Sequence, residues 1–150
     1  MMLCLRFRMD SSSFGLDVGR LEELVPWVEL WPLKTAPGFI RGCFNYRGLM
    51  TPVVDMSMLF SGKLTKRTFS SRIAVMPYHG HFLGALLEGA VETVQIGEAE
   101  FQDACVRSEA SPYLGRMALK DGELLQIVDC DLLLSDKARD VLFPGTEAKP

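Results

Sequence analysis

The run RGLMTPVVDMSMLF, Arg47 to Phe60, returns in altered form as DGELLQIVDCDLLL, Asp121 to Leu134. Aligned, Gly48 falls over Gly122, Met50 over Leu124, Val53 over Ile127, Val54 over Val128, Asp55 over Asp129 and Leu59 over Leu133. The lead-ins also correspond, with Pro37, Phe39, Ile40 and Gly42 ahead of the first copy and Pro112, Tyr113, Leu114 and Gly115 ahead of the second. Gly48 and Gly122 read as turn glycines. Two copies of one supersecondary unit, each too small to hold a full core, imply two β-lobes packed together with a cleft between them.

Outward from this repeat the chain continues in β patterns. Leu3, Leu5 and Phe7, then Phe14, Leu16 and Val18, alternate on either side of a polar DSSS, which predicts a hairpin. LEEL starts like a helical turn and is cut by Pro26, after which Val28 and Leu30 alternate with Trp27, Glu29 and Trp31, predicting a strand beyond the corner. Further strands are predicted over 49–54, 71–77, 82–88, 90–96, 114–119 and 123–128, separated by Gly, Pro, Asp and Ser. Only SDKARDVLF, with Ser135 or Asp136 as N-cap, predicts a helix, and PGTEAKP reads as a frayed tail. The expectation is therefore an all-β fold with a short C-terminal helix, one domain over 1–143 and a flexible tail over 144–150.

Composition narrows the function. A chain of 150 residues fits one domain without disulfide or metal staples, and a net charge of −3 supplies no basic field for nucleic acid or anionic lipid. Cys4, Cys43, Cys105 and Cys130 lie far apart with no CxxC pair, and Arg6 and Arg8 interrupt the apolar start where a signal peptide would need continuity, so a reduced, cytoplasmic setting is expected. The apolar runs are shorter than a membrane span and contain carboxylates. No GxGxxG or GxxxxGK[ST] loop occurs.

Reactive groups lack partners. Asp55 and Asp129 each end a β-branched run ahead of a second apolar run, the place of an N-cap, and no acid–base pair can be assembled around them. His79 and His81 in YHGHF could share a metal, but no further ligand lies at a recognisable spacing and Gly80 reads as a hairpin tip. Cys43 beside Phe44 reads as an inert thiol in an apolar strand. Arg47, at a turn between two apolar strands, can either pair with a nearby carboxylate or present its guanidinium to a partner. No catalytic residue, cofactor or metal is expected.

FNYRGLMTPVVDM, Phe44 to Met56, resembles the signature of the CheW-like adaptor domain of bacterial chemosensory arrays, at Asn45, Arg47, Gly48, Pro52, Val53, Asp55 and Met56. FGLDVGRLEELVP, APGFIRG, GALLEGAVETV and GELLQIVDCDLLL are similar to other segments of that family, so the resemblance runs from about Phe7 to Leu134. Lys34, Ala90, Thr93 and Pro26 depart from it. The resemblance implies two small five-stranded, SH3-like β-barrels sharing a hydrophobic junction. It also implies a non-catalytic scaffold that couples the cytoplasmic tip of a methyl-accepting chemoreceptor to the regulatory domain of a CheA-type histidine kinase, without membrane insertion of its own. By the same resemblance Leu24, Trp27 and Arg47 face the receptor, and Glu29 is the expected partner that orients Arg47; for Trp27 the alternative is a core residue under the first lobe. NYRG and the terminal LFP resemble adaptors of Wsp-like surface-sensing systems. A small-molecule site in the inter-lobe cleft is the competing reading.

Overall fold

A computed structural model describes residues 1–102 and 109–145. Cys105 and the last five residues of the expected tail, 146–150, lie outside the described residues. The first half of the chain forms β1 (Met2–Met9), β2 (Ser12–Asp17), β3 (Glu23–Pro26), β4 (Ile40–Tyr46), β5 (Leu49–Asp55) and a short α1 (Met56–Ser61). The second half forms β6 (Arg72–Tyr78), β7 (His81–Ile96), β8 (Leu114–Lys120), β9 (Glu123–Val128) and α2 (Asp136–Leu142). The fold is mostly β with a short C-terminal helix.

β7 organises the molecule. Its first part pairs antiparallel with β6 and parallel with β5, from Val53↔Gly84 to Asp55↔Leu86. Its second part pairs antiparallel with β1, from Arg8↔Glu88 to Met2↔Ile96. Strands expected separately at 82–88 and 90–96 are thus one strand of 16 residues, whose register against β1 shifts between Glu88 and Glu92, where Gly89 takes a φ of +68°. The path β3-β6-β7-β5-β4 forms one lobe and β7-β1-β2-β9-β8 the other, with a parallel β2–β9 pair matching the parallel β5–β7 pair.

Local geometry repeats as well. Among the described residues four two-residue hairpin turns form two matched pairs: Asp10–Ser11 with His79–Gly80, and Arg47–Gly48 with Asp121–Gly122, all eight residues at positive φ. Such turns have the twist that strands require. The amide of Asp55 donates to Phe39 O at 2.7 Å, and that of Asp129 to Tyr113 O at 2.7 Å. Trp31 bridges to Cys43 of β4 and Phe101 to Ala118 of β8, each shortly after the strand that leads into it. The correspondence extends beyond 48–59 and 122–133 to whole halves of the chain, and the halves exchange strands: each lobe takes three strand segments from one half and a hairpin from the other.

Burial follows from this exchange. Phe44, Tyr46, Val53, Ile73, Val75 and Leu86 form a core inside the first lobe, and Cys4, Ile96, Ala118, Leu125 and Ile127 one inside the second. A larger cluster including Leu5, Phe7, Phe14, Leu16, Val54, Met76, Leu87 and Phe143 lies at the junction. Strands between a lobe core and the junction are apolar on both faces, which is why Val53 faces one cluster and Val54 the other.

Residues 18–31 differ from expectation. Val18–Arg20 is a 3-10 turn, and the segment read as a helical turn is β3, pairing Glu23↔Val75 to Pro26↔Arg72. Pro26 is tolerated because β3 is the outer strand of its path and Pro26 its last residue. The strand expected over Val28–Leu30 is absent, and only Trp31 makes a bridge there.

Candidate partner-binding site

The Asn45–Gly48 corner is built by turn chemistry. Arg47 takes a φ of +52° and Gly48 of +84°, and Asn45 Oδ1 accepts the amide of Gly48 at 2.8 Å. The asparagine thus holds a turn that obliges an arginine to adopt a left-handed conformation. Pro52 sits in β5 without losing a ladder bond to β4: its partner Cys43 uses both backbone groups on Trp31, each at 2.8 Å, so the Cys43–Pro52 pair is a non-hydrogen-bonded one.

The turn directs Arg47 toward the start of β3. Its guanidinium donates to Glu22 at 2.9 Å and to Glu23 at 3.3 Å, and lies 4.9 Å from the Tyr46 ring centre. Tyr46 donates its hydroxyl to Glu23 at 2.7 Å. Burial, with the Glu23 hydrogen bond, pushes the phenol up to about 12, so it remains a donor. The Arg47 side chain keeps 56% of its surface exposed. Glu29, expected to orient Arg47, does not: Glu22 and Glu23 hold that place, because the residues read as a helical turn are extended and run past the corner.

Leu24 lies in β3 and Trp27 directly after its end. Leu24 is 38% exposed and lines a cavity of about 300 Å³ between the lobes with Leu5, Arg72, Ala90, Glu92 and Thr93. Trp27 is half-buried against the first-lobe core, its ring 5.0 Å from the Arg41 guanidinium and 5.2 Å from that of Arg67. It is a core-edge residue held by cations, whereas Trp31 is the tryptophan left 62% exposed. Glu23, which Arg47 reaches, and Trp27 lie four residues apart along this segment, roughly 13 Å at an extended chain's rise per residue, with Leu24 between them in the chain.

Residues 3–138 match the CheW-like domain. The chain belongs to the CheW-like domain family. It is 23% identical over 137 residues to the chemotaxis protein CheW of Rhizobium meliloti (strain 1021), covering 89% of this chain and 88% of that one. With the chemotaxis protein CheW of Bacillus subtilis (strain 168) it shares 20% over 140 residues, 92% and 90% of the two chains. The crystal structure of the scaffolding protein TtCheW from Thermoanaerobacter tengcongensis superposes with a TM-score of 0.82 at 22% identity, over 94% of this chain and 92% of that one, which establishes the shared fold.

Within this CheW-like domain the two aspartates sit where helix caps sit. Asp129 accepts the amide of Asp131 at 3.1 Å and starts a 3-10 turn. Asp55 accepts the amide of Met58 at 3.1 Å, but it is also fully buried, pairs with Arg41 at 2.5 Å and accepts both the amide and the hydroxyl of Thr65, the latter at 2.6 Å. Sequence reading found the cap and missed this second role, since Thr65 and Arg41 carry no motif of their own. His79 lies on the β6–β7 turn, while His81 stacks on Phe143 at 4.6 Å. Burial raises the thiols of Cys4 to about 11 and Cys130 to about 12, and raises that of Cys43. Among the described residues no group of three or more His, Cys, Asp or Glu is placed to hold a metal ion, and no helix is long and apolar enough to cross a membrane.

Proposed function

We propose that this chain is a non-catalytic scaffold in the cytoplasm, coupling the tip of a methyl-accepting chemoreceptor to the regulatory domain of a CheA-type histidine kinase at membrane-bound receptor arrays. The match to the CheW-like domain over residues 3–138 carries the reading. In this reading each lobe closes as a small five-stranded barrel, supported by the Trp31–Cys43 and Phe101–Ala118 bridges that bring the chain back to the far strand of each path. Residues 1–143 act as one domain.

The receptor side is the edge running from Arg47 through Leu24 to Trp27. A receptor tip is a helical hairpin, which such an edge can meet with apolar contacts and a planar guanidinium. Glu22, Glu23 and Tyr46 hold Arg47 in one orientation, so less side-chain freedom is lost on binding. The kinase engages a different face. Titration of Arg47→Ala against an isolated receptor hairpin should show affinity lower by about tenfold, since the arginine is exposed and already paired, with little change toward the kinase domain. Glu23→Gln should give a smaller loss of the same kind, and Glu29→Ala none. Equal losses toward both partners would remove Arg47 from the receptor surface.

A further inference from the structure

The loop from Gly62 to Ser71 that joins α1 to β6, taken with Arg72 at the start of β6, departs from the rest of the chain in charge. It contains Lys63, Lys66, Arg67 and Arg72 and no carboxylate, in a protein whose net charge is −3. Only Lys63 has a carboxylate partner among the described residues, Asp10 at 3.5 Å. Leu64 is 57% exposed and Phe69 93%, which makes Phe69 the most exposed large hydrophobic residue described. Exposing a phenylalanine forgoes most of its burial energy, and a flexible loop could fold it away.

This loop is braced against doing so. Thr65 is buried on Asp55 through its amide and hydroxyl. Ser71 Oγ donates to Lys66 O at 2.9 Å and accepts the amide of Thr68 at 2.9 Å, while Arg72 donates to Phe69 O at 2.6 Å. These bonds hold the backbone of the turn that carries Phe69. Arg67 ties the loop to the proposed receptor edge by donating to Trp27 O at 2.8 Å with its guanidinium near the Trp27 ring, and Arg72 pairs with Pro26 at the end of β3 and lines the inter-lobe cavity beside Leu24.

We infer that the receptor-facing surface continues through this loop, and that the loop selects a receptor tip carrying carboxylates around an apolar socket that receives Phe69. This rests on the adaptor reading above. The loop's cations call for an acidic partner, its continuity with Trp27 and Leu24 makes the partner the one on that edge, and its preorganisation lowers the ordering cost of docking. A lipid surface fits less well, because one aromatic and a few cations must there overcome repulsion from the carboxylate-rich remainder of the chain.

The test uses the full chain titrated against the soluble cytoplasmic hairpins of the source organism's methyl-accepting receptors, at low and physiological salt. Phe69→Ala and the double change Lys63→Glu with Lys66→Glu alter exposed side chains, and melting curves check that both variants remain folded. Each should weaken hairpin binding by about tenfold, and the charge reversal should also flatten the salt dependence. If Arg47→Ala weakens binding while both loop variants bind like the parent, the loop inference is overturned and the adaptor reading stands. If all three bind like the parent, the receptor reading itself fails. Unchanged hairpin binding, with Phe69→Ala losing sedimentation with phosphatidylcholine vesicles that contain phosphatidylglycerol, would assign the loop to a membrane and overturn the inference.

Discussion

Asp55 and Asp129 occupy equivalent places in the two repeats, yet Asp55 is fully buried with Arg41 and Thr65, whereas Asp129 has the amide of Asp131 and is partly exposed. Removing a carboxylate that only caps a turn costs about 1 kcal/mol. Removing one that also neutralises a partly buried guanidinium costs more, about 3 kcal/mol or above, because the cation is left without its partner. Asp55→Ala should therefore lower urea-unfolding stability by at least twice the loss in Asp129→Ala. Equal losses would mean that Arg41 and Thr65 add nothing to the cap. The capping role was legible from position in the repeat; the buried pairing was not, because it joins residues 14 and 10 positions away across a strand pair and a loop.

At the scale of elements, the first-lobe path is drawn back to β4 at Trp31, where the chain passes close over Gly42. A Cβ at Gly42 would lie 2.6 Å from Trp31 O, and the residue has a φ of +149°. Gly42→Ala must displace the Trp31 bridge, with an expected loss of about 2 kcal/mol or more and a shift in tryptophan emission. Gly48 has open space around its Cβ direction and a φ of +84°, so Gly48→Ala bears only the left-handed backbone term, about 1 kcal/mol, without a change in emission. Comparable losses with unchanged emission in both would show that the bridge yields freely. The turn role of Gly48 could be read from Arg-Gly between apolar runs. The close approach at Gly42 could not, since its partner arrives from a segment in which a strand was expected and none formed.

For the whole molecule, β7 belongs to both lobes and the largest core cluster draws on both, so neither lobe has a complete set of contacts alone. The lobes should unfold together. Trp27 and Trp31 both lie in the first lobe, so tryptophan emission reports that lobe while far-ultraviolet circular dichroism reports both. The two signals should give coincident transitions in guanidinium. A second-lobe transition separated from the tryptophan signal would indicate that the junction is weaker than its burial implies.

The repeat, the mostly-β composition, the four turns and the terminal helix were readable from the sequence, because alternation, turn residues and caps are set by interactions within a few residues. The NYRG segment pointed to the family for the same reason: its asparagine and glycine are demanded by the turn they build. What only the tertiary structure decided was how the copies combine, with strands exchanged through β7, and which acids hold Arg47. Hydrophobic pattern specifies that a strand face is buried but not against which strand, since any apolar face satisfies the same solvent exclusion. Glu22, Glu23 and Glu29 are alike in the sequence, and only the pairing of β3 with β6 brings the first two to the guanidinium.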